Sequence, residues 1–159
     1  MTDRPNAALD ALKIQSRAVI PIVRALELEV GRERAHAIVG RAIAESHAEW
    51  QGKVVRERNS HPREVKPNTE AQLPIEPKIV EDTDSNVAIN MTRCQFAEYF
   101  RSIGAEDVGA LLTCGVDFAA EALLRPNWEF RRTQTIMGGA SYCDFRWRLR
   151  DSEEDGPAG

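Results

Sequence analysis

A chain of 159 residues has one domain's length, enough for a single hydrophobic core. Hydrophobic residues make up 42% and charged residues 29%, the balance of a water-soluble globular protein, and a formal charge of −4 argues against the basic surface that a nucleic-acid partner requires. There is no signal-peptide pattern and no apolar run of ~18 residues, so neither secretion nor a membrane span is expected. Three cysteines, without a C-x-x-C pair, are expected as reduced thiols in the cytoplasm.

Along the chain, Leu12, Val19, Ile22, Val23, Leu26 and Val30 recur at helical spacing over 7–29. Pro21 predicts a kink or a break there, because proline lacks an amide donor and its ring crowds the preceding turn. Gly31 separates this segment from a second helix over 32–55, with Ala35, Ile38, Val39, Ala42, Ile43 and Trp50 along one face. The short link predicts an antiparallel pair or a bend, and the pair is able to cover a sheet or form a dimer interface. His36 and His47 share a face of the second helix, yet at ~1.5 Å rise per residue they stand roughly 16 Å apart, too far to bind one ion. They are expected as helix-surface histidines.

Residues 56–78 carry Pro62, Pro67, Pro74 and Pro77 among charged and polar residues, and read as an extended arm or linker. His61 within it is expected in solvent, the functional reading being a mobile acid or base. Residues 79–91 read as one strand or two short ones, Thr92 as the N-cap of a helix over 93–102, and Gly104 as its end. A helix over 105–123 follows, burying Val108, Leu111, Leu112, Gly115, Ala119 and Leu123. Pro126-Asn127 is a turn, 128–136 a strand, Gly138-Gly139 a tight turn and 141–149 a returning strand. On that last strand Tyr142, Asp144, Arg146 and Arg148 face one side, and Cys143, Phe145, Trp147 and Leu149 the other. Residues 151–159, acidic and rich in Gly and Pro, read as a disordered tail. The expected fold is α+β: N-terminal helices (1–55), the arm (56–78), and an α+β core (79–150) with a helical pair inserted between the strands of a small antiparallel sheet, all one structural domain.

The residues that carry chemistry lie in the second half. Cys114 and Asp117, three apart on a helix, are able to converge on one pocket, where a thiolate attacks an sp² carbon and a carboxylate moves the proton. Cys143 and Asp144 are adjacent on a strand and so face opposite sides. Arg146 or Arg93 suits a substrate carboxylate through the planar guanidinium fork. Thr133 and Thr135, on one strand face, are placed to orient a substrate by hydrogen bonds.

The ordered set Cys94, Cys114 with Asp117, Pro126-Asn127, Thr-x-Thr at 133–135, Gly138-Gly139 and Cys143-Asp144-Phe145-Arg146 resembles the L-2-amino-thiazoline-4-carboxylic acid hydrolase family over roughly 85–149. The resemblance implies a small cytoplasmic hydrolase that opens a cyclic amidine-like ring at a C–N or C–S bond. It also favours Cys114, Asp117 and Cys143 as site residues over the alternative that cysteines here merely fill the core.

Taken together, these readings point to a ring-opening hydrolase of a small molecule, forming a homo-oligomer, with no nucleic-acid or membrane partner. No cofactor is expected, although zinc held by Cys94, Cys114 and Cys143 with a water in the fourth position is an alternative. A non-catalytic small-molecule-binding or sensory domain is the alternative of a different class.

Overall fold

The computed structural model describes residues 6–54, 59–64 and 74–151. Most of the tail and residues 65–73 of the arm, Pro67 included, lie outside the described residues.

Helix α1 spans Ala7–Val30 and starts where the Asn6 side chain accepts a hydrogen bond from the Leu9 amide at 3.0 Å. It runs unbroken through Pro21, because Leu12, Ser16 and Val23 bury one face on both sides of the proline. The expected break is therefore absent: packing holds what the missing hydrogen bond would loosen. Gly31, at φ 83°, turns the chain into α2, Arg32–Val54. Within the described residues, no helix is long and apolar enough to cross a membrane.

Strand β1, Ile75–Asp82, begins inside the stretch read as arm and carries Pro77. It is the edge of a four-stranded antiparallel sheet of order β1-β2-β4-β3, where β2 is Asn86–Cys94, β3 Trp128–Arg131 and β4 Cys143–Leu149. A proline that cannot donate to a ladder, and register irregularities on either side of it, suit an edge rather than a centre. His61, expected in solvent, is tied to its neighbours at the sheet edge. Its Nε2 donates to the Thr83 carbonyl at 2.9 Å, its Nδ1 faces the Arg63 amide, and its ring meets Trp128 edge-on.

Between β2 and β3 lie α3 (Gln95–Ser102), α4 (Glu106–Leu112), a 3-10 turn at Cys114–Val116 and α5 (Asp117–Leu124). Cys94, not Thr92, caps α3: its sulfur accepts from the Ala97 amide at 3.4 Å, whereas Thr92 stays in β2 with its hydroxyl on the Glu76 carbonyl. The single helix expected over 105–123 is broken at Thr113. The Thr113 hydroxyl donates to the Gly109 carbonyl at 2.8 Å, competing with the backbone for that acceptor, and Gly115 weakens the helix further.

The core lies between the inner face of the sheet and the helices. Val87, Ile89, Met91, Cys143 and Trp147 face inward, and Phe100 of α3 is fully buried against them. A Cβ on Gly109 would stand 2.5 Å from Cγ of Phe100, so glycine is what lets α4 lie directly on that ring. Arg125 and Glu121 form an ion pair at 2.7 Å, nearly buried, and the Trp147 indole donates to the same carboxylate at 2.8 Å. That network fastens α5 to the sheet.

Candidate active site

The break at Thr113 puts Cys114 at the start of the 3-10 turn and Asp117 at the first position of α5, with the Asp117 amide donating to the Cys114 carbonyl. The two remain one short turn apart. Facing them from the end of β3 is Arg132, whose guanidinium pairs with the Asp117 carboxylate and donates to the Cys114 carbonyl at 3.0 Å. Its side chain is only 9% exposed and lies over the rings of Phe118 and Phe145. Thr113 Oγ1 stands 3.5 Å from the Cys114 sulfur, and the Thr135 hydroxyl, which accepts the Gly138 amide at 3.0 Å, lies close enough to favour the ionised form of the same thiol.

The electrostatics are set by burial. Desolvation pushes the Asp117 carboxyl up to about 6, against the pull of Arg132 in the other direction. Burial also raises the thiols of Cys114 and Cys143, and that of Cys94 to about 11. Each of Cys94 and Cys143 responds to the charge on Cys114, so the three thiols are electrostatic neighbours. They are not drawn together as a ligand set. Among the described residues, the group of three metal-ligand types whose atoms lie within 4.8 Å of one another is Glu27, His36 and Asp107.

That trio includes none of the thiols and is already occupied by protein. Asp107 accepts from Arg24 at 2.8 Å and from Arg32 at 2.9 Å, and Glu27 accepts from Arg24 and pairs with His36. It clamps the ends of α1 and α2 to the start of α4. His47, the other helix histidine, reaches Gln51.

Cys143 borders the site from the inner face of β4, where its sulfur accepts the Ile136 amide at 3.2 Å and braces the loop after β3. The two threonines are parted, contrary to expectation. Strand β3 ends at Arg131 because the Asp144 carboxylate takes the Thr133 and Gln134 amides at 2.9 and 2.8 Å, pulling the chain off the ladder. Thr133 is thereby tied to Asp144, while Thr135 turns toward Cys114. Arg146 and Arg93 do not join them. Arg146 lies on the outer face, across from Ala88, with its guanidinium on the Ile89 carbonyl and the Asn90 side chain. Arg93, at the end of β2, is held in solvent by Glu98 and Glu76.

Arg132 is the site residue that sequence reasoning missed. Its signal was present: it shares strand parity with Trp128 and Phe130, so alternation aims a cation at the apolar face.

The chain belongs to the L-2-amino-thiazoline-4-carboxylic acid hydrolase family, whose model matches residues 12–147. The match takes in both the helical pair and the α+β core, and the family's name points to hydrolase chemistry of that type. A comparison with curated proteins gives no match.

Proposed function

We propose, starting from this family membership, that the protein hydrolyses a small cyclic amidine carboxylate, a 2-amino-thiazoline-carboxylate or a close analogue, at a ring C–N bond. The observation that carries the reading is the buried Arg132 bridging Cys114 and Asp117. An amidinium is close in shape and charge to a guanidinium, and Asp117 already holds a guanidinium in the resting site. A zwitterionic substrate would exchange that internal pair for two external ones, its amidinium on Asp117 and its carboxylate on Arg132.

In this scheme the Cys114 sulfur forms a bond to the amidine carbon as its proton passes through Asp117 to the substrate nitrogen. The ring C–N bond then breaks and its nitrogen leaves as the amine. Water cleaves the covalent adduct, returning a proton to the sulfur, so the net reaction consumes one water. Thr135 orients the thiol, and Cys143 shapes the wall of the site. Such thiols need a reducing compartment, which the cytoplasm supplies.

The test is turnover of 2-amino-thiazoline-4-carboxylate by the purified chain, with iodoacetamide and with a chelator. Loss to the alkylating agent alone, and a fall of about 10²–10⁴ in kcat for Cys114→Ala, are the expected results. Wild-type rates in Cys114→Ala would overturn the thiol route. A specific observation favours the second reading in that case: burial holds Cys114 as a thiol while Asp117 ionises near neutrality, as suits a base acting on water. Asp117→Asn would then be dead while Cys114→Ala is active. Metal-assisted hydrolysis is the reading that loss to the chelator would bring forward. Stoichiometric binding without turnover would support the sensory alternative.

A further inference from the structure

Phe118 follows Asp117 directly at the start of α5 and is 46% exposed, although the ring of Phe130 lies 5.3 Å from its own between centroids. It is not among the side chains that fill the core. It also meets Arg132. The guanidinium carbon stands 5.1 Å from the centroid of Phe118 and 5.7 Å from that of Phe145, while the same guanidinium pairs with the Asp117 carboxylate. A planar, delocalised cation thus meets a carboxylate through its N–H groups and aromatic rings through its π system. The protein's own arginine shows which chemical group Asp117, Phe118 and Phe145 together fit.

We propose that Phe118, with Phe145, makes the site selective for a planar, delocalised cation, so that amidinium carboxylates are accepted as substrates and the corresponding ammonium carboxylates are rejected. This rests on the reading that the substrate's amidinium takes the place of Arg132 on Asp117. A carboxylate alone supplies no such selectivity, because it pairs with either kind of cation. An amidinium or guanidinium is flat, spreads its charge and is weakly hydrated, so it gives up little on leaving water for an aromatic ring. An ammonium is a compact, strongly hydrated charge with no face to stack. Burial sharpens the difference: the Arg132 side chain is only 9% exposed, so a cation in its place is largely stripped of water.

The same selectivity separates substrate from product. Opening the ring adds one water across the amidinium. The amidine carbon gains the oxygen as an uncharged C=O, the ring C–N bond breaks, and the released nitrogen takes up the protons and the positive charge as a primary ammonium. Charge is conserved, but the cation is no longer planar. The aromatic rings therefore hold the substrate better than the product, and Arg132, itself a planar cation, returns to Asp117 as the product leaves.

Titration calorimetry on the full chain tests this without any turnover. Guanidinoacetate reproduces the amidine-carbon, nitrogen, carbon, carboxylate connectivity of 2-amino-thiazoline-4-carboxylate, and β-alanine puts an ammonium nitrogen where the amidine carbon lies. Guanidinoacetate should bind at least about tenfold more tightly than β-alanine, about 1.4 kcal/mol. Phe118→Leu should bring the two affinities to within about twofold of each other, and Phe118→Tyr should keep the preference. Both probes carry the same carboxylate, so a disturbance of Arg132 cancels in their ratio, and the exposed position of Phe118 spares the fold. In the turnover assay, Phe118→Leu should lower kcat/KM for the thiazoline, with the loss carried by KM. Equal affinities in the wild type, no binding of either probe, or a preference that survives Phe118→Leu would each overturn the inference. Turnover of the thiazoline by a chain with no preference between the probes would refute the selectivity and leave the hydrolase reading standing. Preference for guanidinoacetate without turnover would do the reverse.

Discussion

Replacing Asp117 by Asn separates the two forces acting on that carboxyl, burial and the attraction of Arg132. An ordinary Asp ionises near 3.8, and in the folded protein this one does so at about 6, so burial wins. The native state therefore binds the Asp117 proton more tightly than the unfolded chain does. Stability from this group is fully present below about pH 3.8 and is lost as pH rises through 6. At about 1.4 kcal/mol per tenfold change in proton affinity, ionised Asp117 costs the fold about 3 kcal/mol at neutral pH. Asn cannot ionise and escapes that cost, though it gives up the charge pair with Arg132. Urea unfolding of both proteins at a series of pH values isolates the effect, because every other titrating group cancels in the difference. Relative to wild type, Asp117→Asn should gain about 3 kcal/mol between about pH 4 and pH 8. Parallel curves would mean that Asp117 titrates as an ordinary carboxyl. A relative loss with rising pH would mean that Arg132 outweighs burial, and the assignment of Asp117 as a proton carrier near neutrality would fall with it. The same ionisation should appear in the wild-type pH–rate profile as a limb near pH 6.

Glu121→Gln leaves Arg125 nearly buried and uncompensated and strips the Trp147 indole of its charged acceptor; a loss of about 3–5 kcal/mol is expected in denaturant unfolding. Gly109→Ala drives a methyl into the fully buried Phe100 ring and should cost about 1–3 kcal/mol, with no change in thiol alkylation rates if the site keeps its shape. Asp107 is held at about 2 by Arg24, so its contribution is present above pH 3.8 and disappears as pH falls through 2. Asp107→Asn should therefore lose about 1 kcal/mol at neutral pH, after screening at the half-exposed Arg24, and differ from wild type hardly at all at pH 2.

Local periodicity made much of this chain legible before any tertiary structure. The order of helices and strands follows from 3.6- and 2-residue spacing, and the inward parity of Cys143, Phe145 and Trp147 follows from strand geometry alone. The closeness of Cys114 and Asp117 was equally local, since three residues of helix or 3-10 turn bring two side chains to one side. The family resemblance, resting on spaced residues in the second half, extends in the match to residues 12–147.

Contacts between distant segments decided the rest. Whether Pro21 breaks α1 depends on what Val23 and Leu12 bury against, and no window of neighbouring residues contains that. Thr133 and Thr135 part company because a carboxylate eleven residues from Thr133 captures the backbone donors that would have continued β3. Arg146 and Arg132 exchanged expected places for the same kind of reason. Strand parity puts Arg146 on the face away from Cys143, while the end of β3 sets Arg132 against a turn that the sequence reads as uninterrupted helix. The sequence by itself determined which elements form and which way their faces point, because those are set by backbone geometry within a few residues. Tertiary structure alone decided that a buried arginine meets Asp117, because sheet register and helix docking bring together groups that sequence spacing keeps apart.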